Sequence, residues 1–581
     1  MDKEKIQELA HKEWKIGVLE KLMAIVRSFS LTEKTLFVIF SIIFIASSLS
    51  LLYKVNGSFL VEVPDYGGSL NEGVIGSPRF INPLLASSDT DKDLVTLIYS
   101  GLMKVTPSGE LVPDIAESYT ASDDGLNYTF TLKKDIYFQD GSKLSADDVI
   151  FTVEKAQDSL LKSPREANWA GVKVEKIDDL TVSFTLKQAY SPFIQNTTLG
   201  ILPKHIWKDA SIEEFPFSQF NIKPIGTGPY KVESISYTDS GLPKEYKLKS
   251  FSQYALGKPF ITNLNIKSYQ NEKEILNAYN NNDIDSLHSI SPKQMSDLKI
   301  EGKNVMLSPL PRIFGVFFNQ NVAPVLVYKE VRLALDLATD KQAIVDNVLG
   351  GYGKVIDSPV PLETAQSEAT TTGNFSGLEK AKELLIKNGW KQNASGIFEK
   401  KEKTKTTRLS LSISTGNAPE LKEVAMLIQR QWQALGAEVE VKIFEIGDLN
   451  QNIIKPRKYD SLLFGEIVGR DMDLYPFWHS SERNSPGLNI AMYTNSKADK
   501  LLENIRKTSD REEQKTYLES FSKEIKNDVP TVFTYSPYFI YIVPEEIKNI
   551  NLGLLTNPGE RFVDVSKWYI ETNRVWEIFN R

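Results

Sequence analysis

Residues 36–52, LFVIFSIIFIASSLSLL, carry no charge, and Lys34 and Lys54 bracket them. With Thr35 and Tyr53 the run reaches 19 residues. At about 1.5 Å per residue, a helix of that length is roughly 28 Å long, close to the hydrocarbon thickness of a bilayer. The sequence therefore predicts a transmembrane helix over 35–53. A cleaved signal peptide is the competing reading, because Ala46, Ser48 and Ser50 are small enough for a cleavage site. Signal cores usually run about 7–15 residues after a short leader, whereas here 34 residues precede the run. Orientation follows from the flanking cations. Lys3, Lys5, Lys12, Lys15, Lys21, Arg27 and Lys34 lie before the run, and after Lys54 there is none until Arg79. The expectation is a single-pass cell-membrane protein with a cytoplasmic N-terminus and an extracytoplasmic body.

Ahead of the span, Ile6, Leu9, Trp14, Val18, Leu22, Ile25 and Phe29 recur near the helical period. An amphipathic helix over 1–29 is expected, lying on the inner membrane surface or pairing with a partner or itself. Gly57, Pro64, Gly67 and Gly68 mark a linker after the span.

The chain has no cysteine. That removes thiolate zinc sites, cysteine nucleophiles and a lipidated cysteine, and leaves the helix as the anchor. A body of some 500 residues buries enough apolar surface without disulfides. The net charge of −7 argues against nucleic acid, which needs a basic surface. No phosphate loop, dinucleotide fingerprint, nucleophile elbow or H-E-x-x-H occurs. After the span, the histidines are His205, His288 and His479, far apart in sequence. Asp147-Asp148 and Asp178-Asp179 read as a helix cap and a turn. No catalytic residue, metal site or cofactor is expected.

NYTFTL (127–132) and TVSFTL (181–186) alternate as half-buried strands. Ser145 caps a helix, with Asp148 completing its box. LSLSI (409–413), a helix from Pro419 to Leu435 closed by Gly436, and AEVEVKIF (437–444) read as strand, helix and parallel strand. A second helix ends at Gly389. The class is mixed α/β, with two to four domains expected from length.

LVPDIAESYTASDDGLNYTFTLKKDIYFQDGSKLSADDVIFTVEKA (111–156), GTGPYKV (226–232), FGVFFNQN (314–321), YKEVRLALDLATDKQAIVDNVLGGYG (328–353) and LEKAKELLIKNGW (378–390) occur in that order. Together they resemble the extracellular solute-binding proteins of family 5, the peptide- or nickel-type receptors of bacterial ABC importers. KYDSLLFGE (458–466) and FVDVSKWYI (562–570) are similar to later, less distinctive blocks. The resemblance implies a two-lobe, periplasmic-binding-protein-like type II α/β fold, of the peptide-binding kind, with an extra subdomain in lobe I. It implies lobe I (66–312, subdomain about 110–200), lobe II (313–533) and a return to lobe I (534–581); ahead of them the charge and hydropathy pattern gives a cytoplasmic segment (1–34), the span (35–53) and a linker (54–65).

In peptide-type relatives, a Tyr-Asp…Gly-Trp…Asp segment supplies an aromatic wall and an aspartate for the ligand's ammonium. Here that segment reads YDSLLFGEIVGRDMDLYPFWHSS (459–481). Glu466 stands at the tryptophan position and Gly469 at the aspartate position, followed by Arg470 and Asp471. Asp471 or Glu466 takes the ammonium from a shifted backbone, Arg470 grips a carboxylate with its fork, or all three are surface charges. Asp473 is a further candidate. Trp478 and Tyr475 read as core or as wall. On lobe I, Arg79, Phe80 and Asn82 lie in the loop expected to border the cleft. Phe314 and Phe317 lie on the first expected crossing strand.

The function so implied is a membrane-anchored receptor, not an enzyme, with a monomeric binding body. It would clasp oligopeptides between closing lobes and deliver them to an ABC permease with its ATPase subunits. The alternatives are the same fold binding another solute (nickel complex, opine or oligosaccharide), or a ligand sensor or scaffold.

Overall fold

The computed structural model describes residues 17–288, 290–360, 375–403, 405–470, 472–508 and 510–576. The chain divides into two units: residues 1–65 with 572–581, and residues 66–571.

In the first unit, Leu31–Ser58 is one helix of 28 residues. Ser30 begins it: its N–H donates to Glu33 Oε2 at 2.8 Å, and Glu33 N–H donates back to Ser30 Oγ at 3.4 Å. No described side chain of this helix is buried. It is long and apolar enough to cross a membrane. Gly17–Ser28 is also helical, and residues 1–16 of the expected amphipathic segment lie outside the described residues. Over 54–65, where the glycines and Pro64 suggest a linker, the helix runs on to Ser58 and Leu60–Pro64 forms a strand. Its antiparallel partner is Thr572–Trp576. The partner lies some 500 residues away, so local turn residues do not reveal the pairing.

The second unit is organised by one 14-residue strand, Thr531–Pro544. Its second half pairs antiparallel with Lys303–Pro309 and Ser286–His288. Outward from Ser286–His288 come Gly67–Ile75 and Ile261–Tyr269, in parallel, then Pro243–Ser250 and Tyr230–Tyr237, antiparallel. The first half of the long strand pairs antiparallel with Arg312–Phe318, which pairs with Ser461–Ile467. Ser410–Gly416 and Glu438–Phe444 follow in parallel. Helix Pro419–Leu435 supplies the crossover expected from the sequence. Val424, Ala425, Ile428, Trp432 and Leu435 form its buried face, and Gly436 leaves it at φ 106°. A four-stranded antiparallel sheet lies within 116–185, ordered Ala116–Ala121, Asn127–Leu132, Thr181–Thr185 and Lys173–Asp178.

Each half of the large sheet has its own core. Leu70, Val74, Leu264, Ile266, Phe539 and Tyr541 belong to the first. In the second, successive side chains of Arg312–Phe318 point to opposite faces, as a strand requires. Val316 and Phe318 enter one cluster, and Ile313 and Phe317 enter another. These halves are the two lobes of the fold. They are joined where the chain passes Leu310-Pro311 in one direction and Ser536-Pro537 in the other. There Ser536 Oγ donates to Leu310 O at 2.6 Å, and Leu310 N–H donates to Pro537 O at 3.4 Å. Proline has no N–H to give to a ladder, so the pairing is sparse at the point where the lobes join.

Candidate functional site

Contacts that cross the lobe boundary among the described residues include three sets made by charged side chains. The first is Arg470, just beyond strand Ser461–Ile467. Its Nη2 donates to Glu560 Oε2 at 2.7 Å and to Leu554 O at 2.5 Å, both on the opposite lobe. The side chain is 8% exposed, and its buried Nη1 has no hydrogen-bond partner among the described residues. The second is Arg506. It holds Asp473 bidentately at 2.7–3.1 Å and lies over the Tyr475 ring at 3.9 Å and the Tyr190 ring of the first lobe at 6.0 Å. Ser191 N–H donates to Arg506 O at 3.4 Å, and Gln514 Nε2 donates to Ser191 Oγ at 3.3 Å. The third is the exposed ion pair of Lys293 with Glu423. The lobes therefore meet in a closed arrangement.

Near the joint, Phe314 stacks on Tyr535 with centroids 4.8 Å apart and planes 6° from parallel. Gly465 is needed beneath it, because a Cβ there would lie 2.7 Å from the Phe314 ring. Glu420, second residue of helix Pro419–Leu435, is half-buried at the boundary. Its carboxyl is pushed up by burial, and then by the like charges of Glu272 on the other lobe and of Glu423.

The other expected site residues fall into distinct places. Glu466 is 4% exposed, on the Ile313 face of its strand, and neither carboxyl oxygen has a hydrogen-bond partner among the described residues. Burial pushes its carboxyl well above the usual range. Trp478 and Phe317 are fully buried in one core cluster, rings 6.2 Å apart, so both pack inside the lobe rather than wall a cleft. Asn82 is fully buried: its Nδ2 donates to Asn221 Oδ1 and its Oδ1 accepts from Leu84 N–H, which fixes the loop. The backbone N–H groups of Arg79 and Phe80 donate to Asp91 Oδ1 at 2.8 and 3.0 Å, and the Arg79 residue is exposed. Asp473 is engaged by Arg506. Asp471 lies outside the described residues.

Among the described residues, no group of three or more histidine, cysteine, aspartate or glutamate side chains could hold a metal ion. His205 pairs with Asp140, His288 lies 3.3 Å from Asp93, and His479 stacks on Tyr475. Two surface hollows, one beside Glu438–Phe444 and one beside Asp140 and Lys249, each lie within a single lobe. Sequence reasoning missed Glu420, Tyr535 and Glu560. Glu420 carried only the ordinary signal of an acid in a helix's first turn, and nothing local marks the other two.

Because Arg470 ties one lobe to the other, Arg470→Ala should favour the open state and weaken solute binding about tenfold, chiefly through faster release. Calorimetry and stopped-flow release measure this. Unchanged affinity and release would show that the pair does not contribute to closure.

A family model described as bacterial extracellular solute-binding proteins, family 5, middle, matches residues 110–486. The oligopeptide-binding protein AppA of Bacillus subtilis is 29% identical over 516 residues, covering 87% of this chain and 92% of AppA. The structure of AppA in complex with a nonapeptide matches with a TM-score of 0.66 at 28% identity, over 88% of this chain and 100% of that one. CtaP, an ABC transporter substrate-binding protein of Listeria monocytogenes, matches with a TM-score of 0.73 at 28% identity, over 87% and 100% of the two chains. NikZ of Campylobacter jejuni, in complex with Ni(L-His), gives 0.67 at 27% identity, over 86% and 99%. With the family model spanning most of the two-lobe body, this chain belongs to the bacterial extracellular solute-binding proteins of family 5.

Proposed function

We propose that the chain is the membrane-anchored, extracytoplasmic receptor of an ABC importer. In this reading it closes its lobes on an oligopeptide and delivers it to a permease with separate ATPase subunits. The observation that carries it is the two-segment joint at Leu310-Pro311 and Ser536-Pro537, with boundary contacts that exist only when the lobes meet. A solute that touches both lobes binds the closed state better and shifts the population toward it by that difference. AppA, which binds a nonapeptide, supports a peptide as the solute. Helix Leu31–Ser58 supports the anchor, and tethering would raise the receptor's effective concentration near its permease. The cations before the span support a cytoplasmic N-terminus.

Glu420 is the carboxyl we assign to the ligand's cationic end, in place of the aspartate that Gly469 replaces. An incoming ammonium would relieve the repulsion from Glu272 and Glu423. The same replacement, with Arg470 engaged by Glu560, favours as a second reading a solute without a free ammonium, and NikZ with Ni(L-His) shows that the fold admits small solutes.

Mass spectrometry of solute carried through gentle purification, followed by calorimetry of the stripped protein with peptide pools, separates the two. Carried peptides and micromolar or tighter peptide binding are expected. Saturable binding of another solute with no peptide binding would overturn the peptide assignment.

A further inference from the structure

We propose that Phe59, Leu60 and Trp576 seat the two-stranded ribbon of the first unit in the outer headgroup layer of the bilayer. The inference rests on the anchor reading and goes beyond it. Among the described residues, Leu60–Pro64 and Thr572–Trp576 pair only with each other, over five residues each. An isolated two-stranded ribbon is marginal in water. Yet this one leaves large apolar rings uncovered: Phe59 is 54% exposed and Trp576 44%, and the two stack with centroids 6.1 Å apart.

The register places these rings at the helix end of the ribbon. Leu60 lies opposite Trp576, and Glu62 opposite Arg574 two residues further on. The Arg574–Glu62 pair, at 3.1 Å, is exposed on both sides. The order along the unit is therefore an apolar helix, then Tyr53 and Lys54, then aromatic rings, then ions. That is the order of a membrane and its interface, where tryptophan and tyrosine concentrate.

Distance fixes the layer. Residue 44 is the centre of the 35–53 run, and Phe59 lies about 22 Å beyond it along the helix at 1.5 Å per residue. Half the thickness of a bilayer with its headgroups is roughly 20–22 Å. Phe59 and its stacked partner thus reach the outer edge of the headgroups. Continuity with the helix selects lipid as the occupant over a second copy of the chain.

The chain has no cysteine, so single cysteines can be spin-labelled cleanly in the full chain, reconstituted in phosphatidylethanolamine–phosphatidylglycerol vesicles. Val575→Cys leaves Trp576 in place. Thr572→Cys reports about 10 Å further along the ribbon, and Ile43→Cys reports the span. The ratio of oxygen to nickel-chelate accessibility should be highest at 43, several-fold higher at 575 than at 572, and should fall at 575 to the value at 572 in Trp576→Ala. An unchanged lineshape at 572 in that variant shows that the ribbon stays paired. Equal ratios at 575 and 572 with a lipid-shielded 43 would overturn the seating and leave the anchor standing. A water-exposed 43 would overturn the anchor itself. Dipolar broadening at 575 that vanishes on dilution with unlabelled chain would assign the rings to a second copy, against the proposal.

Discussion

Arg561→Met should destabilise the folded body by about 3–5 kcal/mol, the cost of removing one partner from a buried ion pair. Arg561, Glu72 and Asp93 are all fully buried in the first lobe. The guanidinium reaches Asp93 with two bonds of 2.7 and 2.8 Å and Glu72 Oε1 with two of 3.0 and 3.2 Å. Tyr541 OH donates to Glu72 Oε2 at 2.9 Å, Ser286 Oγ donates to the same oxygen, and His288 Nε2 lies 3.3 Å from Asp93 Oδ2. One cation therefore fastens the first sheet strand, the helix after it and the 3-10 turn Pro558–Phe562 to one another. Burial works to raise Asp93, but Arg561 and His288 outweigh it and hold the carboxyl at about 2. A lowered folded value contributes stability that is present above the unfolded carboxylate range and lost as pH falls toward 2. With methionine at 561, two buried carboxylates face each other without a guanidinium, an arrangement that costs more the more fully it is charged. The loss should be larger at pH 8 than at pH 5. Urea unfolding at both pH values measures it, and a loss under about 1 kcal/mol at pH 8 would contradict the role given to Arg561.

Glu466→Gln should act in the opposite direction and stabilise the protein at pH 8. The carboxyl is buried with no hydrogen-bond partner among the described residues, and burial raises its folded value well above normal. Its effect is therefore absent below the unfolded value of about 4 and grows unfavourable as pH rises towards the folded value, at about 1.4 kcal/mol per pH unit. Glutamine has nearly the same shape and no charge to desolvate. The variant and the parent should converge near pH 4 and separate progressively as pH rises to 8. Parallel unfolding curves from pH 4 to 8 would mean that Glu466 has a partner in solution.

Much of the fold was legible because it is local. Alternation in 127–132 and 181–185, the helix opened by Pro419 and closed by Gly436, and the parallel strands on either side all follow from side-chain period and caps. The ordered blocks then carried the two-lobe architecture. The site was less legible, for a physical reason. Arg470 and Glu560, Glu72 and Arg561, or Arg506 and Tyr190 meet only after the lobes have formed, and a buried charge looks like a surface charge in a string of letters. Aromatic residues have the same ambiguity. Phe314 stacks on Tyr535, whereas Phe317, three residues on, is core; strand period separates their faces but does not say which face is apolar on both sides.

If the two lobes close on a solute about the Leu310-Pro311 and Ser536-Pro537 joint, the body becomes more compact when solute binds. Small-angle X-ray scattering of the two-lobe body, stripped of solute and then saturated with a peptide that calorimetry shows to bind, reads that change. Lobe closure predicts a smaller radius of gyration and a shorter maximum dimension with peptide. Superimposable curves at saturation would contradict it.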